Sequence, residues 1–131
     1  VSKVIIAGSR RFPSLDINEY KDWGIHYNKV YPILETLILE SKLEITAVVS
    51  GKCWGMDELG ELWAKNNNIS VLSYPADWKK YSRAAGPIRN AQMGEVGDAL
   101  ICICTFGSRG SNNMIDIMKK LGKPHWFKYL V

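Results

Sequence analysis

The sequence predicts an α/β fold: one open parallel sheet of about five strands with helices on both faces. Three observations carry this expectation. Five short, almost unbroken apolar runs recur along the chain, stretches with helical spacing lie between them, and glycine, serine or proline follows four of the runs. Uniformly apolar strands that alternate with helices imply a parallel sheet covered on both sides, its strands joined by right-handed crossovers.

Lys3-Val4-Ile5-Ile6-Ala7, closed by Gly8-Ser9, is a strand buried on both faces. Residues 13–26, PSLDINEYKDWGIH, follow as a long connection, where the commonest loops run about 2–6 residues. Two readings stay open for it: a lid, or a surface excursion with a short helix whose Tyr20 and Trp23 cover the core edge. Val30, Ile33, Leu34, Leu37 and Ile38 keep the helical period and predict the first helix. Ile45 to Val49, closed by Ser50-Gly51, is the second strand, and Met56, Leu59, Leu62 and Trp63 mark the next helix. Ile69 to Leu72 leads into Tyr74-Pro75 as the third strand. Ile88, Met93 and Val96 then predict a helix whose opening suits Pro87, because an N–H missing there would have had no partner. Ala99 to Cys104 is the most apolar strand. Met114, Ile115, Met118 and Leu121 predict the last helix, with Gly122 suited to its C-terminal turn and Pro124 as a stop. His125 to Leu130 is the fifth strand. No repeat, low-complexity tract or linker interrupts the series, so residues 1–131 are expected to form a single domain.

With 131 residues and 47% apolar composition, a chain of this size buries roughly two thirds of the surface it exposes when unfolded, and needs no disulfide or structural metal. The runs VIIA at 4–7 and ALICIC at 99–104 fall far short of the about 20 residues of a membrane span, and no charged segment precedes a long apolar stretch as in a secretion signal. The expected location is the cytoplasm, away from membranes. Cys102 and Cys104 stand two apart inside an apolar run, not as C-x-x-C, so the three cysteines are expected to be reduced thiols without metal. A net charge of +4 admits anionic partners without separating nucleic acid from nucleotides.

Ligands of an open parallel sheet bind outside the carboxyl ends of its strands, where the strand order reverses. The loops there contain Gly8-Ser9-Arg10-Arg11, Gly51-Lys52-Cys53-Trp54-Gly55-Met56-Asp57, residues 77–90, and Gly107-Ser108-Arg109-Gly110-Ser111. Small residues let backbone N–H groups approach a ligand. All five arginines, Arg10, Arg11, Arg83, Arg89 and Arg109, fall in these connections or at a helix start. Their planar forks suit an anion with several oxygens. Gly107 to Ser111 opens the last helix and would set a phosphate on its N-terminus. It is neither a P-loop, lacking Gly-Lys-[Ser/Thr], nor G-x-G-x-x-G, and Ser111 is equally readable as a plain N-cap.

The remaining candidates keep two readings each. Arg89 and Asn90 open a helix, and Arg89 is either a ligand contact or a surface residue. Asp57 is a catalytic carboxylate or an acidic residue favoured by a helix start. Asp77 binds a sugar hydroxyl, orients Arg83 or Arg89, or caps a turn. Trp54 and Trp78 stack a base or pack the core. Cys53 is the only loop thiol, with Lys52 as its charged neighbour, and His26 and His125 receive no role.

On these residues the chain resembles the SLOG superfamily of Rossmann-like domains, and within it the small stand-alone YspA-like branch of bacterial and phage proteins. The resemblance spans nearly the whole chain. It rests on Ile6-Ala7-Gly8-Ser9-Arg10 with Phe12, Val49-Ser50-Gly51 with Gly55 and Asp57, Pro75-Ala76-Asp77-Trp78, Ala85-Gly86-Pro87-Ile88-Arg89-Asn90 with Met93, and Gly107 to Ser111 with Met114. Ser111 stands where threonine is usual, Ser82 where glycine is usual, and the 13–26 connection is longer than typical. The resemblance implies a pocket for a nucleotide or nucleotide-derived, ADP-ribose-like ligand. The related Lonely Guy phosphoribohydrolases cleave the N-glycosidic bond of nucleoside monophosphates with an arginine, matched by Arg89, and a glutamate, whose place Met114 takes.

Three functions follow as expectations. The first is a nucleotide sensor or binding protein in which Gly8, Ser9, Arg10, Gly107, Ser108, Arg109, Gly110 and Ser111 take the phosphate side, Asp77, Arg89 and Asn90 the sugar side, with Gly51 and Gly55 in the adjoining loop. The second is an N-glycosidase or phosphoribohydrolase-type enzyme using Asp57 or Asp77 with Arg89. The third is a single-stranded DNA module, favoured by the basic balance and the tryptophans and opposed by arginines confined to the pocket loops. No cofactor or metal is expected, and a homo-oligomer is compatible with the sequence.

Overall fold

The structure, a computed structural model, describes residues 2–10, 23–53 and 55–130, with side chains in the first helix from Tyr27 onward. Arg11, Phe12, Tyr20, Trp54, the stretch 13–22 and the side chains of Trp23 and His26 therefore lie outside the described residues. So does the question of a lid.

Five apolar runs form five strands: β1 (Ser2–Gly8), β2 (Ile45–Ser50), β3 (Ser70–Ser73), β4 (Ala99–Cys104) and β5 (His125–Tyr129). They make one all-parallel sheet in the order β3-β2-β1-β4-β5, a Rossmann-like arrangement. Between them run α1 (Trp23–Ser41), α2 (Met56–Asn66), the four-residue α3 (Trp78–Tyr81) with a 3-10 turn at Ser82–Ala84, α4 (Ala85–Val96) and α5 (Arg109–Leu121). Because α1 already begins at Trp23, residues 23–26 of the expected long connection are helical.

The period-two alternation of the strands divides the core between the two faces of the sheet. Val4, Ile6, Val48, Ile101 and Ile103 meet Val30 and Leu34 of α1 and Met56 and Leu59 of α2. Ile5, Val49, Leu100, Cys102 and Cys104 meet Met93 of α4 and Met114, Ile115 and Met118 of α5. The cysteines are free thiols, and Cys102 and Cys104 are buried as expected. A hydrogen bond with Cys104 and burial push the Cys102 thiol up, which keeps it protonated.

Two expectations are corrected. The outer strands are not buried on both faces: β3 and β5 are the sheet's edges and leave Ser70, Ser73, Phe127 and Lys128 exposed. Pro87 lies at the third position of α4 instead of the first, because the helix starts at Ala85 directly from the 3-10 turn. It still falls in the turn whose N–H groups the helix leaves without partners. Gly122 closes α5 in the left-handed conformation.

The order of the strands places the site. The chain moves outward from β1 to β2 and β3, then returns to lay β4 on the other side of β1, so the order reverses between β1 and β4. At that point Gly8 is irreplaceable by a larger residue, since a Cβ there would run into the Ile103 carbonyl and come within 2.6 Å of Met56 Cγ.

Candidate functional site

Strands β1 and β4 deliver their loops side by side, and Ser9 ties them together. Ser9 is buried, its N–H donates to the Ile103 carbonyl at 3.2 Å, and its Oγ accepts the Thr105 N–H at 3.0 Å. Arg10 projects from this stitch and remains exposed. The loop after β2 presses on the same point. Gly55, at φ 90°, leaves so little room that a Cβ would stand 3.0 Å from the Ser9 carbonyl oxygen and 3.1 Å from Arg10 Cα.

Arg89 crosses from α4 into this loop. Its Nη1 donates to the Gly51 carbonyl at 2.6 Å and approaches Cys53 Sγ at 3.6 Å, while Arg10 Nη2 reaches the same sulfur at 3.8 Å. Lys52, the charged neighbour of Cys53, turns instead to Glu61 at 2.8 Å. Asp57, the second residue of α2, is 7% exposed and accepts the Cys53 N–H on Oδ2 at 3.1 Å. Burial pushes its carboxyl up to about 6, against the pull of that N–H and of the Arg89 and Arg10 guanidiniums. Asp57 thus changes from a neutral acid to a carboxylate near pH 6.

Asn90 couples the Arg89 loop to α5. Buried at 6% exposure, it accepts Arg89 Nε on Oδ1 at 3.0 Å, and its Nδ2 donates to the Gly110 carbonyl at 3.2 Å and to Asn113 Oδ1 at 3.0 Å. Ser108 is the N-cap of α5, and its hydroxyl donates to Ser111 Oγ at 2.7 Å. Ser111 is therefore a buried third residue of the helix and not its N-cap. The N–H groups of Arg109, Gly110 and Ser111 belong to the first turn, which a helix leaves without internal partners. Nothing lies within 4 Å of the place a Cβ would take at Gly107 or Gly110, so the turn is open to an approaching anion.

Of the two candidate carboxylates, Asp57 is the one set beside Arg89. Asp77 is the exposed N-cap of α3 and accepts the Lys80 N–H at 3.1 Å, the capping reading of that residue. Arg83 and Trp78 are exposed, the Trp78 ring 3.5 Å from where a Cβ would sit at Gly86 in the first turn of α4, and Met114, where the resemblance puts a glutamate, is 1% exposed in the core. His125 begins β5, at the opposite edge of the sheet. The sequence reading missed Thr105, and also Asn112 and Asn113, whose only signal was two adjacent amides just inside a glycine-serine helix start. Among the described residues, no group of three or more His, Cys, Asp and Glu stands together to hold a metal ion, and no helix is long and apolar enough to cross a membrane.

In a comparison with known families, the model of the YspA, cpYpsA-related SLOG family aligns with residues 2–81. No curated protein and no solved structure matches the chain.

Proposed function

The chain belongs to the YspA, cpYpsA-related SLOG family, and on that premise we propose that it binds a nucleotide or nucleotide-derived, ADP-ribose-like ligand at the carboxyl edge of its sheet, as a sensor or binding protein. The family points to a nucleotide-related ligand in general terms. One observation carries the finer reading: Asn90 holds Arg89 and the open first turn of α5 in a single hydrogen-bonded unit at the β1–β4 reversal. A guanidinium, a set of aligned N–H groups and a glycine approach then face the same edge, the combination an anion with several oxygens needs. Gly8, Ser9, Arg10, Gly107, Ser108, Arg109, Gly110 and Ser111 form the phosphate side of this reading. Arg89, Asn90 and the loop Gly51 to Gly55 form the sugar side.

Titration calorimetry with ADP-ribose and with AMP tests it. Replacing Arg109 by alanine removes a charged donor at the helix start and should weaken binding by about ten- to a hundredfold, the equivalent of roughly 1.5–3 kcal/mol. Absence of binding to either ligand, or an Arg109→Ala variant of unchanged affinity, sinks the proposal.

A second reading, hydrolysis of an N-glycosidic bond, is favoured by the contact of Asp57 with the Arg89 loop. A neutral Asp57 is a proton donor for a departing base, and a charged one stabilises positive charge on a sugar. The buried Met114 weighs against it, because the carboxylate used by the hydrolytic relatives has no counterpart at that position. Release of free base from nucleoside monophosphates, abolished by Asp57→Asn, would promote this reading over the first.

A further inference from the structure

Among the described residues Phe106 is the most exposed aromatic ring, and it lies beside the candidate site. It lies one residue before Gly107, at 73% exposure, and stacks on Tyr129 with ring centroids 4.2 Å apart and planes inclined by 12°. Its inner face is covered and its outer face is free. Single exposed apolar side chains are common and mean little. This one is held. Asn112, in the first turn of α5, donates Nδ2 to the Phe106 carbonyl at 2.9 Å and accepts the Tyr129 hydroxyl on Oδ1 at 3.3 Å, while Phe127 braces Tyr129 edge-on at 5.4 Å. One amide thus fixes the backbone of the first ring, the hydroxyl of the second and the helix start to one another.

We infer that Phe106 and Tyr129 form the stacking platform for the nucleobase of the ligand, on the β5 side of the α5 N-terminus. This rests on the nucleotide reading above and adds the position of the ring. A nucleobase is the part of such a ligand that needs a flat apolar partner, and its π-face stacks on an aromatic side chain whatever the base. The polar groups around Arg89 and Asp57 lie on the other, β2 side of the same helix start. A ligand with phosphate at α5 reaches both sides only if it branches in two directions from that phosphate. A nucleoside diphosphate carrying a second sugar does so, and a mononucleotide fills one side alone. Among the described residues Trp78 is the competing ring: it is half-exposed on α3 and stands 3.5 Å from where a Cβ would sit at Gly86 in the first turn of α4, whereas Phe106 directly precedes the Gly107 turn that leads into α5.

Calorimetric titration of the wild type, Phe106→Ala and Phe106→Trp with ADP-ribose and with ribose 5-phosphate tests the platform. Phe106→Ala should weaken ADP-ribose by at least about fivefold, as loss of one base stack does, and ribose 5-phosphate by less than about twofold. Phe106→Trp should restore ADP-ribose binding. The platform is overturned if Phe106→Ala leaves ADP-ribose binding unchanged, if it weakens both ligands equally, or if Trp78→Ala takes the loss instead. It is also overturned if Phe106→Ala changes the sedimentation of the unliganded protein, which would make the ring a contact between copies of the chain. A wild type that binds neither compound removes the nucleotide reading itself, and the platform with it.

Discussion

Two residues store conformational or electrostatic cost that a single substitution can release. Ser82, between α3 and α4, has φ 49° and ψ −126°, a region that only glycine enters without strain. Glycine is the usual residue there in the family the chain resembles. Ser82→Gly should raise the free energy of unfolding by about 1 kcal/mol, the strain released less the backbone entropy that glycine adds. Chemical denaturation measures it, and a loss of stability would show that the Ser82 hydroxyl matters more than its backbone. Asp57 makes the opposite kind of demand. Its carboxyl is raised from 3.8 to about 6 by burial, so the folded state holds a proton that the unfolded state has released between those values. Stability is full below the lower value and declines as pH rises through the upper one, by about 3 kcal/mol in all. Asp57→Asn removes this slope. The variant's advantage in melting temperature over the wild type should therefore grow from pH 4 to pH 7, and a difference independent of pH would refute the assignment.

Among the elements, α4 is fastened at both ends by unlike means, and the two ends can be separated experimentally. Its first turns carry Arg89 and Asn90 to the candidate site, whereas its last carbonyls meet Lys123, whose Nζ donates to Gly94, Glu95 and Gly97 at 2.6, 3.1 and 2.8 Å. A cation there satisfies carbonyls that the helix cannot and complements its dipole. Lys123→Met should lower stability by about 1–2 kcal/mol without changing affinity for ADP-ribose. Equal losses in denaturation midpoint and in binding would mean that the far end of α4 positions the site. Lys123 also illustrates what could and could not be foreseen from the chain. The central strands β1, β2 and β4 were legible because burial on both faces leaves an uninterrupted apolar run, and Gly122 was legible because closing a helix in the left-handed conformation favours glycine. The edge strands were overburied in expectation, since apolar composition does not say which strands lack a neighbour. Helix α3 escaped because four residues carry no period. At the site, glycines and arginines announced the anion edge, but the linkage of Asn90 to Gly110 and Asn113, and of Asn112 to Phe106 and Tyr129, depends on contacts across the fold that no local spacing encodes.

For the molecule as a whole, the question is whether a net charge of +4 serves a compact anion or a polymer of phosphates. The two differ in counterions released. A protein neutralising 6–10 phosphates of a strand loses about 10³–10⁵ in affinity between 50 and 200 mM salt. A ligand of two or three charges in a pocket should lose no more than about tenfold over that range. Fluorescence titration of a single-stranded oligonucleotide against calorimetry of ADP-ribose across this salt range checks it, and tight oligonucleotide binding that nucleotides fail to displace would favour the nucleic-acid module. The strand order has a further outcome on a slower clock. β1 lies at the middle of the sheet with β4 beside it, and the Ser9–Thr105 stitch is attached to both, so its amides should exchange with deuterium only when the whole domain opens, while β3 and β5 fray first. Occupancy of the cleft should therefore slow exchange at the β5 margin, through Tyr129, far more than at β1, which already has almost no opening left to suppress.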